Sequence, residues 1–373
     1  MKKQFLQIIS LVLSLIILLP FAGCVKDEPV RPILPKEERV VLSFRGETIT
    51  ESEFGYYLSL YKGRFARAYA DFSDTDEFYS SEFGSTTMED YLFGTVVQNV
   101  KRTLISEALY SEQGFDDADL IAEDIGYYIE SLIYERYGND REAFSKALAA
   151  IGITEEQLNQ IYIRDEMTYS LFSYLANEKA TIGLNDSAKQ EYLEKNYARI
   201  RHIYVNNKYT YLTDESGAPV YGADGKQQTA PLTGEALSAK NALISAIDES
   251  LGDGGNFDEI YSALSEDKYY ENGYYLTQNT EFIDAVVSAA FNLEVGEWVK
   301  LTSDVGTHYV MRLPMDQSPW ENNDNADFFG DFNDAVLNEL FGEYLDSFSD
   351  EVSVNKDVLD DFDIRSAKIN YNF

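Results

Sequence analysis

The chain has 373 residues, which is enough for two or three domains. Its 65 acidic and 30 basic side chains give a net charge of −35, which argues against nucleic acid as a partner because phosphate binding requires a basic surface. The single cysteine, Cys24, excludes an intramolecular disulfide and a cysteine-based metal cluster. We expect neither a metal nor another cofactor.

The first residues have the pattern of a secretory signal. Lys2 and Lys3 precede an apolar stretch rich in Leu and Ile, which ends in Phe-Ala-Gly-Cys at 21–24. That ending resembles a bacterial lipobox, whose cysteine is lipidated. We expect residues 1–23 to be a signal peptide and Cys24 to carry the lipid, which would anchor the protein on the extracytoplasmic face of the cell membrane. The alternative is an uncleaved membrane anchor, for which the apolar run is short.

The next part of the chain predicts a tether followed by helices. Residues 24–40 hold three prolines among charged residues, a composition typical of an extended segment. Residues 41–50 predict a strand, a turn and the start of a helix, where Thr50 and Glu53 fit a capping box. Apolar side chains at helical spacing predict further helices at about 88–113, 117–137, 141–150 and 154–178. We therefore assign 41–190 to a mostly helical N-terminal domain.

The only two histidines of the chain lie in similar segments. His202 belongs to Ala-Arg-Ile-Arg-His-Ile-Tyr-Val at 198–205, and His308 to Ser-Asp-Val-Gly-Thr-His-Tyr-Val-Met-Arg-Leu at 303–313. The alternation of polar and apolar side chains predicts a short strand for each. Between them lie, in order, Asn-Phe-Asp-Glu-Ile-Tyr-Ser-Ala-Leu-Ser-Glu-Asp at 256–267, Asn-Gly-Tyr-Tyr-Leu at 272–276 and Ala-Ala-Phe-Asn-Leu-Glu-Val-Gly-Glu at 289–297.

This order of motifs resembles the parvulin-type peptidyl-prolyl isomerases across 198–315. In that family an Arg-His-Ile strand opens the domain, a helix of the pattern Phe-x-x-x-Ala-x-x-x-Ser-x-Asp follows, and a Gly-x-His strand closes it. Residues 41–62 resemble, in turn, the N-terminal segment of PrsA- and SurA-type foldases. The resemblance implies a helical chaperone domain with an inserted parvulin-like domain, a small antiparallel sheet flanked by helices.

The resemblance also implies roles for individual residues. His202 and His308 match a histidine pair on adjacent strands at the floor of the site, and Asp267 matches the position of a Cys or Asp that faces the substrate carbonyl. Two alternatives stay open: the histidines are a structural pair without a chemical role, and Asp267 is a surface acid at a helix end. The residues implied for the proline pocket are Leu276, Phe282, Val286 and Phe291, with Phe282 in the family's Met position and Val286 in its Phe position.

Three further segments complete the prediction. Residues 207–232 are longer than the usual family loop, and their Gly and Pro signals predict a projecting hairpin. A helix at about 233–251 carries an apolar face suited to a sheet. Residues 320–373 hold a helix at 328–348, whose apolar face we expect to pack on the N-terminal domain instead of the parvulin-like one, and a tail that could add a strand.

These features together predict an α+β protein with one leading function and one alternative. The leading function is a membrane-anchored, extracytoplasmic foldase that isomerises X–Pro bonds in unfolded or newly secreted polypeptides. The alternative is a holdase chaperone, in which a degenerate parvulin domain serves only as a binding surface. The sequence specifies neither the client proteins nor the oligomeric state.

Overall fold

The structure is a computed structural model that describes residues 38–69, 71–179 and 181–373. The predicted signal peptide, Cys24 and nearly all of the predicted tether therefore lie outside the described residues. Within the described residues, no helix is both long enough and apolar enough to cross a bilayer.

The N-terminal part begins with a β-hairpin that leads into helices. The turn of the hairpin uses Arg45 and Gly46 in the left-handed region of backbone space. The predicted capping box between Thr50 and Glu53 is confirmed at the start of the first helix. The elements in order are β1 (Val40–Phe44), β2 (Glu47–Thr50), α1 (Glu51–Ala68), α2 (Asp76–Ser80), β3 (Glu82–Phe83), β4 (Thr86–Thr87), α3 (Met88–Gln113), α4 (Ala118–Tyr137), α5 (Arg141–Ala150), α6 (Glu155–Ser173), a π-helical turn (Tyr174–Glu178) and α7 (Asp186–Asn196). The four helices predicted from apolar spacing are thus present.

The middle of the chain forms an antiparallel sheet with helices on both faces. Its elements are β5 (Ala198–Val205), β6 (Tyr209–Tyr211), β7 (Thr229–Pro231), α8 (Gly234–Gly252), α9 (Phe257–Leu264), β8 (Tyr274–Leu276), α10 (Asp284–Asn292), β9 (Trp298–Thr302) and β10 (Thr307–Arg312). Four of the strands pair in the order β8–β5–β10–β9. Helices α8 and α9 pack on one face of this sheet around Ile203 and Tyr309, and α10 packs on the other around Ile200 and Val310. Because β5 opens the segment and pairs with the closing strand β10, the two ends of the segment are adjacent.

The predicted hairpin in 207–232 is present as β6 and β7, which pair antiparallel from Tyr209↔Pro231 to Tyr211↔Thr229. Beyond them the segment turns twice more, with bridges between Thr213 and Pro219 and between Tyr221 and Gln227. Gly217 and Gly225 occupy left-handed backbone conformations in these outer turns, which explains why glycine suits both positions. The insertion is therefore a folded element and not an open loop.

The C-terminal part returns to the N-terminal part. Two 3₁₀ turns (Pro319–Glu321 and Asn323–Phe328) precede α11 (Phe332–Asp346), β11 (Ser353–Val354) and α12 (Lys356–Leu359). Strand β11 supplies the strand suggested for the tail, and it pairs with β1. Near the chain end, the Asn370 amide donates to the Ser59 carbonyl of α1. A Cβ at Gly63 would overlap the Asn370 carbonyl, so the tail crosses α1 where only glycine fits.

Helix α11 packs both on the N-terminal part and on the inserted segment, whereas we expected it to pack only on the N-terminal part. Phe341 and Leu345 in its second half are buried in the N-terminal core. Phe332 in its first half packs instead in a cluster with Leu193 of α7 and Tyr275 of β8. The expectation was incomplete because α11 is apolar around most of its circumference, and periodicity alone does not say which neighbour covers each side. The described fold is α+β, as predicted.

Candidate active site

The two histidines lie on adjacent antiparallel strands and point to the same face of the sheet. His202 is on β5 opposite Val310, and His308 is on β10 opposite Tyr204. The Nε2 atom of His202 is 3.0 Å from Nδ1 of His308, and the two rings are nearly parallel with centroids 5.2 Å apart. Both residues are buried, at 3% and 0% exposure. The strand register therefore builds the pair that the sequence resemblance implies.

Asp267 is part of the same buried network. Its Oδ2 atom accepts hydrogen bonds from Nδ1 of His202 at 2.9 Å and from the Tyr274 hydroxyl at 2.6 Å. The turn that carries it is fixed by Ser265, whose hydroxyl accepts from the Tyr204 amide and donates to the Asp267 carbonyl. The Asp267 side chain is only 11% exposed. The alternative of a solvated acid at a helix end is thus incompatible with its position.

The network keeps a negative charge at one end and a neutral imidazole at the other. Burial raises the pKa of the Asp267 carboxyl, but hydrogen bonds from His202 and Tyr274 more than offset this effect and hold the pKa below its ordinary value. Burial, reinforced by the nearby His202, lowers the pKa of His308 to about 4. At neutral pH the site therefore contains the Asp267 carboxylate and a neutral His308.

One arrangement of protons satisfies every member of the network when both imidazoles are neutral. The Ser303 hydroxyl donates to Nε2 of His308 over 2.8 Å, and Nδ1 of His308 donates to Nε2 of His202. Nδ1 of His202 then donates to the Asp267 carboxylate. The proton positions are assigned from the partners of each nitrogen. Each side chain is held by the next, so the network is a rigid support for whatever binds above it.

Three members of this site were missed by the sequence reasoning: Tyr274, Ser303 and Tyr204. Tyr274 could have been found, because it lies two residues before Leu276 and side chains two apart on a strand share a face. Tyr204 could have been found in the same way from His202, and its ring stacks on His308 at 5.2 Å between centroids. Ser303 belongs to the loop before β10, where no periodicity indicates orientation.

The residues implied for the proline pocket occupy three different environments. Phe282 is half-buried, and its ring meets that of His202 edge-on at 5.6 Å and packs on Tyr274 at 5.4 Å. Leu276 and Val286 are 1% and 0% exposed, in the core between the sheet and α10. They fill the core on the same face of the sheet as the histidines and present almost no surface to a ligand. Their role as substrate-binding residues stays a prediction.

Phe291 is separated from the pocket by its place in the fold. It lines a cavity of about 620 Å³ between β8, α7 and α11, together with Tyr197, Phe328 and Phe332. Neither histidine nor Phe282 borders that cavity. The structure thus places Phe291 beside this cavity and not beside the histidine pair, and its role in binding proline stays a prediction. Phe282 alone of the four predicted residues stands beside the pair with exposed surface.

The lowered pKa of His308 makes the stability of the fold pH-dependent. Between pH 6.5 and 4 the unfolded chain binds a proton on this histidine that the folded chain does not, so the free energy of unfolding falls as the pH falls through that range. We expect the stability difference between the native chain and His308→Gln to shrink by about 2 kcal/mol from pH 7.5 to pH 5. Urea unfolding at the two pH values measures it. Equal changes in both proteins would contradict the prediction.

Comparison with known proteins gives matches among solved structures only. No protein-family model matches the chain, and no curated protein does. The chain is similar to PrsA from Bacillus subtilis, at 15% identity over 78% of this chain and 92% of that one, with a TM-score of 0.24. It is similar to the foldase protein PrsA from Streptococcus pneumoniae, at 14% identity over 75% and 96%, with a TM-score of 0.22.

A SurA-like chaperone of Campylobacter jejuni is also similar, at 11% identity over 85% of this chain and 98% of that one, with a TM-score of 0.24.

Proposed function

We propose that the protein is an extracytoplasmic, membrane-anchored foldase that catalyses cis/trans isomerisation of X–Pro bonds in unfolded polypeptides. The observation that carries this proposal is the buried, hydrogen-bonded series of Asp267, His202 and His308, with the half-buried ring of Phe282 beside it. A purely structural histidine pair would not require an ionised carboxylate at one end and an apolar surface above. That combination supports a site that binds a polar amide bond next to the apolar ring of a proline.

The reaction needs no covalent step and no cofactor. Rotation about the amide bond faces a barrier of about 18–20 kcal/mol because resonance makes the planar form stable. An isomerase must therefore stabilise the twisted amide more strongly than the planar one. Resonance places extra negative charge on the carbonyl oxygen of the planar amide, and twisting removes it. A carboxylate beside that oxygen therefore disfavours the planar form, and a preorganised network maintains this effect without rearrangement.

The network suits this task because its charge is fixed in position. Asp267 is tied to His202 and Tyr274, and His202 is tied in turn to His308. In the proposed complex the proline ring lies against Phe282, and the carbonyl of the preceding residue lies near the carboxylate. Acceleration by a factor of ten thousand requires only about 5–6 kcal/mol of differential stabilisation, which one charge and one apolar contact can supply.

The role of Phe282 can be tested directly in a proline-peptide isomerisation assay. We expect Phe282→Ala to lower kcat/KM about tenfold, or about 1.4 kcal/mol, because the proline ring loses its apolar surface. Phe282→Leu should retain most of the activity. Phe83→Ala is the matched control, since Phe83 is a partly exposed phenylalanine that packs on Tyr91 in the N-terminal part. Equal activity of Phe282→Ala and the native chain would place the proline ring elsewhere.

The holdase function remains the second candidate, and one observation favours it. Burial of Leu276 and Val286 leaves Phe282 as the main exposed apolar side chain of the predicted pocket, which makes for a shallow proline site. A holdase would suppress aggregation of an unfolded client while leaving the rate of X–Pro isomerisation unchanged. Measuring both activities on the same preparation of the native chain separates the two functions.

The proposed location rests on Phe-Ala-Gly-Cys at 21–24, outside the described residues. Lipidation of Cys24 would attach more than one acyl chain to the protein, which is what stable membrane anchoring requires. We expect Cys24→Ala to accumulate as an unprocessed precursor, whereas Cys24 in the native chain should incorporate labelled fatty acid. A Cys24→Ala protein that is still processed and retained at the membrane would overturn the lipoprotein assignment.

A further inference from the structure

A row of three tyrosines extends from the histidine pair onto the inserted hairpin. Tyr204 stacks on His308, with ring centroids 5.2 Å apart and an interplanar angle of 20°. Tyr209 begins β6, five residues after Tyr204, and its ring meets that of Tyr211 edge-on at 5.4 Å. Exposure increases along the row, from half-buried Tyr204 and Tyr209 to Tyr211 at 54%. We refer to Tyr204, Tyr209 and Tyr211 as the tyrosine row.

The base of the hairpin holds this row in place. The Asn206 side chain accepts hydrogen bonds from the backbone amides of Lys208 and Tyr209, and the Asn206 amide donates to Glu266. Glu266 immediately precedes Asp267, so the hairpin is fixed to the same turn that carries the buried carboxylate. The Lys208 carbonyl accepts from Leu232 and closes the hairpin across its base. The tyrosine row is thus positioned relative to the site and does not sit on a free loop.

The charges around the row are mostly negative. Asp304 is exposed in the loop before β10, next to Val305, whose carbonyl accepts from the Tyr204 hydroxyl. The backbone amide of Glu266 donates to the Tyr204 carbonyl, and the Glu266 carboxylate pairs with Lys240. Together with the Asp267 carboxylate, these acids make the surroundings of the aromatic rings attractive to a cation. Lys208, at the start of the hairpin, is the opposing charge.

Aromatic faces in an acidic setting bind guanidinium and ammonium groups through cation–π attraction, and guanidinium also stacks on the ring. The His202 ring lies 5.6 Å from that of Phe282 and 6.1 Å from that of Tyr204. An extended peptide rises about 3.3 Å per residue, so a chain whose proline lies against Phe282 reaches Tyr204, the inner end of the tyrosine row, within about four residues. The hydroxyls of Tyr209 and Tyr211, 3.5 Å apart, add hydrogen-bonding capacity at the outer end.

We infer that the tyrosine row is a specificity subsite that binds an arginine or lysine side chain of the client polypeptide close to the isomerised proline. The inference rests on the proposed isomerase function and adds a substrate preference to it. The inserted hairpin then has a purpose: it extends the site from the proline to its neighbours. Clients with a basic residue near proline are preferred over those with an acidic one.

The test uses the full chain and peptides that carry one proline and a single variable residue, placed in turn at each of the two positions before and after the proline. We expect arginine at one of these positions to raise kcat/KM about fivefold over alanine, and glutamate to lower it. Tyr211→Ala should reduce the arginine preference to below twofold, because the arginine peptide loses the exposed ring of the subsite. Tyr211→Phe should keep the preference, because the ring face remains.

Tyr221→Ala is the matched control, since Tyr221 is an exposed tyrosine of the same insertion, and none of the ring pairs found among the described residues joins it to the row. The same peptides, fluorescently labelled, also provide a binding measurement. Turnover of all peptides without an arginine preference overturns the inference and leaves the isomerase standing. A second outcome is that no peptide is turned over, but the arginine peptide binds more tightly than the alanine peptide and Tyr211→Ala abolishes this difference. That outcome overturns the isomerase function and leaves the subsite standing. Binding and rates that are both indifferent to arginine overturn the inference outright.

Discussion

Asp267→Asn should lower the rate of X–Pro isomerisation at least tenfold, or about 1.4 kcal/mol of transition-state stabilisation, while the protein stays folded. Asparagine keeps one oxygen that can accept from His202 and Tyr274, so these two hydrogen bonds are preserved. The charge is lost, together with the oxygen that accepts from the Tyr269 backbone amide. Asp267→Ala should lose the same activity and also destabilise the fold by about 1–3 kcal/mol, because two buried donors lose their acceptor.

Comparing Asp267→Asn with Asp267→Ala separates the effect of the Asp267 charge on catalysis from the effect of its hydrogen bonds on folding stability. Isomerisation is measured on a proline peptide, and unfolding by urea with circular dichroism. Asp253→Ala is the control, since Asp253 is an exposed acid at the end of α8. If Asp267→Asn retains full activity, the carboxylate has no electrostatic role in the reaction. If the native chain is itself inactive but protects clients from aggregation, the holdase function is correct.

Arg164→Met should lower the free energy of unfolding by about 3–5 kcal/mol, because it leaves two buried carboxylates without their cation. The guanidinium of Arg164 joins three elements of the N-terminal part. It contacts Glu107 of α3 at 2.6 Å and Glu53 of α1 at 3.1 Å, and it donates to the Thr48 carbonyl of β2. The side chains of this group are 7–17% exposed.

A surface arginine provides the matched control for this prediction. Arg141 pairs with Glu130 and Glu155 but is 51% exposed, so Arg141→Met should cost no more than about 1 kcal/mol. Burial raises the pKa of Glu107, and the charge of Arg164 lowers it. Adding Glu107→Gln to Arg164→Met should therefore recover part of the lost stability. Similar costs for Arg164→Met and Arg141→Met would show that the buried group contributes no more than a solvated pair.

Local signals account for the parts of the fold that the sequence predicted well. The capping box at Thr50 and the apolar spacing of the helices depend only on residues within a few turns of each other. The histidine pair could also be predicted, because the alternation of polar and apolar side chains predicts two strands and the family resemblance implies that these strands are adjacent. The depth of burial could not be predicted from the sequence, because Leu276 and Val286 are apolar whether they line a pocket or fill the core beside it.

Long-range contacts explain the remaining differences. Tyr275 and Tyr274 are consecutive, yet one packs against Phe332 and the other binds Asp267, because neighbouring residues of a strand point to opposite faces. The sequence shows the alternation but not what covers each face. The same reason accounts for Phe291, which lines a cavity together with Phe332 of α11. Contacts between distant segments depend on how helices and sheets pack on each other, and the periodicity of apolar residues in a sequence does not specify that packing.

The pairing of β11 with β1 has a consequence for how the chain folds. Leu42 and Val354 face each other across this ladder, so the first sheet of the N-terminal part stays unfinished until nearly the entire polypeptide is present. The inserted segment from β5 to β10, by contrast, finds all its sheet partners within itself. During synthesis the insertion can therefore form its sheet first, whereas the first sheet of the N-terminal part is completed only when β11 has been made. A chain delivered N-terminus first would spend that interval with an incomplete hydrophobic core, so a stalled or shortened product should be cleared by proteases much faster than its length alone would suggest.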